Sequence, residues 1–154
     1  MAEANKNSRI RKSDFLKRQF SAGGVVFRQE DGELLWLVIK PAGRDNWRLP
    51  KGLIDRGETS VQTAQREGRE ETGVEVEVVG KIGQDKYFFN LGGERIYKTV
   101  TYYLMRYLQD AKGPMSWEVE EIAWLPFEEA LERLTFKGEK EILQKAREIL
   151  EVRA

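Results

Sequence analysis

Three glutamates near the middle of the chain have the spacing of one face of a helix. Glu67, Glu70 and Glu71 stand at i, i+3 and i+4, so a helix places their carboxylates side by side. Like charges at this spacing repel each other, and an isolated helix gains nothing from them. Such a cluster is either a solvated surface or a site where something positive is bound. Carboxylate oxygens are the ligands that Mg²⁺ and Mn²⁺ prefer.

The composition excludes several other kinds of chemistry. The 154 residues contain no cysteine and no histidine, which excludes disulfides, thiolate nucleophiles, Ser-His-Asp triads and zinc sites with Cys or His ligands. The 26 basic and 26 acidic residues cancel, so there is no general attraction to nucleic acid or anionic membranes. No apolar segment approaches the ~20 residues of a membrane span, and none near the start resembles a secretory signal. We therefore expect a cytoplasmic protein with no membrane partner and no stable nucleic-acid partner.

The loop before the three glutamates could complete a site for a metal ion and a phosphate. Residues 47–52 and 55–58 bring proline, glycine and cationic side chains to the start of the predicted helix. Backbone carbonyl groups in such a loop can ligate a cation, and backbone amides can bind a phosphate. The loop therefore favours a bound cation over a solvated helix face.

The periodicity of the sequence predicts the elements that position this region. Residues 60–72 predict a helix that begins at Thr59 or Ser60 and ends at Gly73. A second apolar helix face repeats over residues 142–150. Strand patterns, two pairs of which flank hairpin turns, occupy residues 20–27, 34–39, 74–78, 87–89, 95–107 and 122–125. Strands interrupted by one helix and closed by another predict an α/β/α sandwich with a mixed central sheet. We expect a basic arm over residues 1–19 and one domain over residues 20–154.

The region from residue 52 to residue 74 resembles the Nudix box, whose pattern is Gly-x5-Glu-x7-Arg-Glu-U-x-Glu-Glu-x-Gly-U with U a bulky aliphatic residue. One position departs from the pattern, since Gly68 stands where an aliphatic is usual. The similarity to a Nudix domain extends from about Phe20 to the C-terminus. The matching residues are Gly52, Glu58, Arg66, Glu67, Glu70, Glu71, Gly73 and Val74.

The resemblance implies a hydrolase that cleaves a nucleoside diphosphate linked to another moiety, with Mg²⁺ or Mn²⁺ as cofactor. Glu67, Glu70 and Glu71 would be metal ligands, aided by the carbonyl of Gly52. Glu58 and Arg66 would brace the loop and helix by pairing with each other, and Gly73 would be a structural residue of the box. Phosphoanhydride hydrolysis fits this ligand set, because it needs charge neutralised on several oxygens and a water held in line with the leaving group.

Short segments outside the box are similar to the asymmetrical diadenosine tetraphosphate hydrolases. They comprise residues 47–52, 98–104, 116–118 and 134–137. This similarity implies that Tyr102 and Phe136 stack an adenine and that Lys51 and Lys98 bind phosphates. It also implies cleavage of diadenosine tetraphosphate to ATP and AMP. The alternative for Tyr102 is an ordinary sheet aromatic.

The general base is expected to be a carboxylate, because the chain has no histidine. Glu118 is the first candidate, since it occupies the matching place in the Ser-x-Glu segment. Glu71 is the alternative, and with Glu70 it completes the predicted catalytic set.

Several other functions fit the same sequence. ADP-ribose, oxidised nucleotides, RNA 5′ ends and diphosphoinositol phosphates are alternative substrates within the same chemistry. A nucleotide-sensing module without catalysis is a different class, and the intact set of three glutamates argues against it. The expected partner is a small-molecule nucleotide, bound by a monomer or a homodimer.

Overall fold

The computed structural model describes residues 17–153, which form a central sheet covered by helices on both faces. Within this range no helix is both long and apolar enough to cross a membrane. The strands are β1 (Lys17–Glu30), β2 (Glu33–Pro41), β3 (Lys51–Leu53), β4 (Val74–Leu91), β5 (Glu94–Asp110) and β6 (Val119–Pro126). The helices are α1 (Ser60–Thr72), α2 (Phe127–Arg133) and α3 (Lys137–Arg153).

The sheet is mixed, and the strand order among residues 17–153 is β4-β5-β1-β2-β6, with β3 paired to β1. β1 runs parallel to β5, and the other pairs are antiparallel. β3 pairs with β1 through Gly23 and Lys51. A Cβ added at Gly23 would overlap the carbonyl oxygen of Pro50, so a glycine is needed there for β3 to approach. This close pairing sets the position of Lys51 and of the loop that follows it.

The two faces of the sheet carry separate apolar clusters, because strand side chains alternate between faces. On one face α1 packs its Ala64 against Val26, Leu37 and Met105. On the other face α3 contributes Leu143 to a larger cluster of buried residues. That cluster includes Val25, Trp36, Val38, Tyr102, Leu104, Ala130, Leu134 and Ile142. The structure thus confirms the predicted α/β/α sandwich.

α1 begins and ends at the signals that the sequence carries. Thr59 accepts a hydrogen bond from the Gln62 amide at 3.2 Å, and the Gln62 side chain accepts one from the Thr59 amide at 2.9 Å. Gly73 ends the helix with φ 73°, a left-handed conformation that glycine adopts without strain. The buried residues of α1 are the small ones, Thr63, Ala64, Gly68 and Thr72. This small face lets the helix lie close to the sheet.

Four parts of the fold differ from the prediction. The predicted strands at residues 74–78 and 87–89 are parts of one strand, β4, and residues 51–53, predicted within a loop, form β3. The short helix α2 follows directly on β6 and has no counterpart among the predicted elements. β1 begins at Lys17 and pairs with β5 from its first residue. The last three residues of the predicted basic arm therefore belong to the sheet, and residues 1–16 of that arm lie outside the described residues.

Candidate active site

Arg66 joins the loop before α1 to the acidic face of the helix. Its Nε and Nη2 donate hydrogen bonds to the two carboxylate oxygens of Glu58 at 2.9 and 3.1 Å. Its Nη1 donates to Glu67 Oε1 at 2.9 Å and to Glu70 Oε2 at 3.3 Å. The hydrogen bonds from Arg66 lower the pKa of Glu58 to about 2. The pair of Glu58 and Arg66 therefore braces loop and helix through an ionised, two-point contact.

Gly52 lies directly against the carboxylate of Glu67. A Cβ added at Gly52 would overlap the carboxyl group of Glu67, so any other residue would displace that carboxylate. The glycine of the box is therefore needed for space, and its φ is not in the left-handed region that favours glycine.

Glu71 and Glu67 are carboxylates in a crowded, poorly hydrated environment. The Lys51 amide donates a hydrogen bond to Glu71 Oε1 at 2.8 Å. Burial, together with the nearby charge of Glu67, raises the pKa of Glu71 to about 8. Burial also raises the pKa of Glu67, although hydrogen bonds from Arg66 oppose it. The negative charge of Glu118 also raises the pKa of both Glu67 and Glu71. A divalent cation would favour the ionised forms, so the chemistry of these donors fits a hard cation.

In this conformation the carboxylates are held by protein groups. Among residues 17–153 no three acidic side chains surround one point closely enough to hold a metal ion. Arg66 engages Glu67 and Glu70, and the Lys51 amide engages Glu71. The carboxylate oxygens therefore point to these protein groups and do not converge on one point. To bind a cation, the same oxygens would have to turn toward it.

A cavity of about 350 Å³ brings several predicted site residues together. Lys51, Gly52, Glu71, Lys98 and Glu118 all line it. Burial, with the charges of Lys51 and Arg48, lowers the pKa of Lys98 to about 8. We call this space the phosphate cavity. Its cationic side chains can hold a polyphosphate chain beside the acidic face of α1.

A second cavity, of about 510 Å³, carries aromatic side chains. Tyr87, Phe89 and Phe136 line this aromatic cavity, and Arg48 and Lys51 line both cavities. Lys51 Nζ donates a hydrogen bond to the Tyr87 hydroxyl at 2.8 Å. The Arg48 guanidinium lies 5.7 Å from the centre of the Phe136 ring. The aromatic cavity therefore meets the phosphate cavity at two cations.

Tyr102 does not lie where the base-stacking prediction requires it. Its ring is 0% exposed and belongs to the core cluster that α3 covers. A ring without exposed area offers no surface for a base, so we correct this assignment and place Tyr102 in the core. The alternation of β5 correctly put Tyr102 on the face of Lys98, but α3 covers that face at Tyr102. Tyr87 is half-buried and lines the aromatic cavity together with Phe136.

Sequence reasoning missed Tyr87 and Arg48 as site residues. The signal for Tyr87 is the hairpin register, because β4 and β5 pair Tyr87 with Lys98 and so place both on one face. Arg48 falls within residues 47–52, a segment already singled out by its similarity, but only Lys51 and Gly52 were selected from it. Arg48 is a site candidate only because its long side chain reaches both cavities, and the sequence does not show where that side chain lies.

Glu139 is a further residue that the sequence analysis did not select. Its side chain on α3 is buried, and Oε1 accepts a hydrogen bond from the Leu49 amide at 2.8 Å. Its Oε2 lies 3.8 Å from Lys51 Nζ. Nearby, the Trp47 amide donates to Thr135 Oγ1 and the Thr135 amide donates to the Trp47 carbonyl, both at 3.0 Å. Thr135 and Glu139 therefore hold residues 47–49, which lead directly into β3 with Lys51 and Gly52.

The NUDIX domain model matches residues 17–146 of the chain. The chain belongs to the Nudix family, and the resemblance found in the box is thereby confirmed.

Relatives of this chain include two curated proteins and a solved structure. MutT4 of Mycobacterium tuberculosis is 39% identical over 137 residues, which cover 85% of this chain and 55% of MutT4. The asymmetrical bis(5′-nucleosyl)-tetraphosphatase of Mus musculus is 30% identical over 138 residues, which cover 84% of this chain and 94% of the mouse protein. A crystal structure of a C. elegans Ap4A hydrolase binary complex superimposes with a TM-score of 0.72 at 24% identity, covering 87% of this chain and 98% of the other. This chain thus spans about half of MutT4 and nearly all of the other two.

Proposed function

We propose that this Nudix hydrolase cleaves dinucleoside polyphosphates, and in particular diadenosine tetraphosphate to ATP and AMP. The observation that carries the proposal is the junction of the two cavities at Arg48 and Lys51. A substrate with an aromatic base at one end of a polyphosphate chain matches an aromatic cavity that opens beside a cationic and acidic one. The similarity to the mouse tetraphosphatase supports the same substrate class.

The binding roles follow from the side chains that line each cavity. Tyr87 and Phe136 offer ring faces to the adenine, and stacking on such faces is favourable for any base. Lys51 and Lys98 attract the phosphates, with Arg48 between the two cavities. Glu139 accepts a hydrogen bond from the Leu49 amide and so helps to position Lys51 at the start of β3. The substrate would therefore extend from the rings toward the acidic face of α1.

The acidic residues provide the chemistry. Glu67, Glu70 and Glu71, with Gly52, would hold Mg²⁺ or Mn²⁺, which neutralises charge on the phosphate oxygens and activates water when bound. Glu118 lines the phosphate cavity with Glu71, and either carboxylate can accept the proton of the attacking water. Arg66 and Glu58 keep the helix and its loop aligned.

A panel of nucleotides with Mg²⁺, with products separated by chromatography, tests the proposal. The panel contains diadenosine tetraphosphate, ADP-ribose, an oxidised nucleoside triphosphate and RNA with a 5′ triphosphate. We expect the highest kcat/KM for diadenosine tetraphosphate, with ATP and AMP as products. Reactions in oxygen-18 water should place the label in AMP, because a base held at a fixed distance from the acidic residues selects one phosphorus.

Other outcomes of the panel would replace the proposal. Release of two ADP molecules would contradict the position of the adenine. Rapid cleavage of ADP-ribose beside a slow reaction with diadenosine tetraphosphate would remove the substrate assignment and leave only Nudix chemistry. Tight binding of a nucleotide without turnover would point to a sensor. The matched control for contaminating activity is Glu67→Gln, purified in the same way.

A further inference from the structure

Trp117 differs from the other three tryptophans of the chain in being almost fully exposed. Its side chain is 86% exposed, whereas Trp36 is 1% exposed within the core. Trp47 and Trp124 are partly buried, and each has a guanidinium near its ring. Among residues 17–153, no ring or cation contact to Trp117 is observed. A large apolar ring held in water is a surface suited to a flat partner.

The backbone on both sides of Trp117 is fixed. The Ser116 amide donates a hydrogen bond to the Glu70 carbonyl of α1 at 2.7 Å. On the other side, the Glu118 carbonyl accepts one from the Ala42 amide at 2.8 Å. The Ser116 hydroxyl also accepts a hydrogen bond from the Glu118 amide at 3.1 Å. Because the loop is already ordered, stacking on this ring would cost little backbone entropy.

Trp117 lines the phosphate cavity and does not line the aromatic cavity. Arg48 and Lys51 line both cavities and so lie between Trp117 and the rings of Tyr87 and Phe136. Arg44 adds a further cation to the cavity lined by Trp117. Aromatic surfaces at two ends, with cations between them, match a ligand that has a planar base at each end of an anionic chain.

We propose that Trp117 forms a second base-binding subsite, which stacks the nucleobase at the far end of a dinucleoside polyphosphate. The inference rests on the proposed function and extends it from one base to two. It makes Trp117 a determinant of specificity for substrates with two bases over nucleotides with one. Arg44 and Arg48 border the same cavity and carry the phosphates between the two bases.

The test compares two substrates that share a tetraphosphate chain, diadenosine tetraphosphate and adenosine 5′-tetraphosphate, which lacks the second base. In Trp117→Ala, we expect the KM ratio of the first substrate to the second to rise about tenfold, the order of one lost stacking contact. Trp117→Tyr keeps a ring and should restore most of the ratio. Leu108→Ala removes another exposed apolar side chain, on β5 and outside both cavities, and serves as the matched control.

Binding gives an independent measurement. A non-hydrolysable methylene analogue of diadenosine tetraphosphate should quench tryptophan fluorescence more in the wild type and Leu108→Ala than in Trp117→Phe. An unchanged KM ratio in Trp117→Ala, with normal wild-type turnover of diadenosine tetraphosphate, would overturn this inference and leave the proposed function standing. Equal quenching in the wild type and Trp117→Phe would also overturn it. If the wild type hydrolyses neither substrate, the proposed function fails and the second subsite fails with it.

Discussion

The acidic face of α1 and the aromatic cavity both border the phosphate cavity, yet they are held together differently. The carboxylates of Glu58, Glu67 and Glu70 all accept hydrogen bonds from one guanidinium, that of Arg66. The rings of Tyr87 and Phe136 come from β4 and from the junction of α2 and α3, and cations lie near them. One region is an ordered network of charges, and the other is an open surface of rings.

The difference separates chemistry from recognition. The carboxylates of the acidic face would hold the cation that stabilises charge on the phosphate in the transition state, so changes among them should lower kcat. Stacking surfaces bind substrate and transition state alike, so changes there should raise KM. Variants of the acidic face should therefore change kcat with little change in KM, and variants of the aromatic cavity should change KM with little change in kcat.

The largest effect is expected from neutralising a carboxylate of the acidic region. Glu67→Gln or Glu70→Gln keeps the side-chain volume and removes a charge that the cation requires. We expect kcat to fall by roughly 10²-fold or more at saturating Mg²⁺. Steady-state kinetics and circular dichroism together measure activity and fold. Glu129→Gln, an exposed change on α2, is the control, and turnover within a few-fold of the wild type in Glu67→Gln would reject the ligand assignment.

A smaller effect is expected from the aromatic cavity. Tyr87→Ala or Phe136→Ala should raise the KM for diadenosine tetraphosphate about tenfold, while kcat changes little. Tyr87→Phe keeps the ring and loses only the hydrogen bond from Lys51, so it should stay close to the wild type. An inorganic polyphosphate serves as the substrate without a base. Equal damage to its hydrolysis would show a general loss of structure and would end the assignment of this cavity to a base.

A pH dependence should arise at the boundary of the two regions. Burial, with Lys51 and Arg48 nearby, lowers the pKa of Lys98 to about 8, so this side chain is cationic below pH 8 and loses its charge above it. We expect KM to rise a few-fold between pH 7.5 and pH 9.5, because a neutral amine attracts phosphate weakly. Lys98→Arg keeps its charge throughout this range and should flatten the profile. If KM depends on pH in the same way in the wild type and in Lys98→Arg, the titrating group is not Lys98.

The smallest effect is expected beneath the aromatic cavity. The Tyr102 hydroxyl is buried and has no hydrogen-bond partner among the described residues. Tyr102→Phe removes this unpaired group and should raise the free energy of unfolding by about 1 kcal/mol, since a buried donor without a partner is costly. Urea denaturation measures this change. A clear loss of stability would show that the hydroxyl has a partner in solution.

The acidic region was accessible from the sequence because its signals are local. The N-cap at Thr59, the small face of α1 and the end at Gly73 all lie within about four helical turns, and the structure has each of them. The spacing of Gly52, Glu58 and Glu67 follows from contacts between near neighbours in the chain. Alternation and turn residues likewise predicted the two hairpins.

The aromatic cavity was not accessible in the same way because it joins distant segments. The alternation of β5 gives the face of Tyr102, but only the position of α3 decides which part of that face is covered. The register between β4 and β5 places Tyr87 beside Lys98, but the approach of Phe136 to Tyr87 depends on how the segment before α3 packs on the sheet. α2 has seven residues and was missed, since so short a helix depends on packing of its buried Ala130 more than on propensity.

The buried carboxylate of Glu139 links the last helix of the fold to a loop 90 residues earlier in the chain. Until residue 139 has emerged during synthesis, the Leu49 amide lacks its acceptor, although β1 can already pair with Lys51 and Gly52 of β3. The carboxylates of α1 are made early, but the contact that fixes the segment before β3 is made late. A nascent chain that stops within α2 would therefore contain every residue of the Nudix box and still lack the contact that holds Leu49 beside β3. The final support of this segment thus forms only once the first turn of the last helix has been translated.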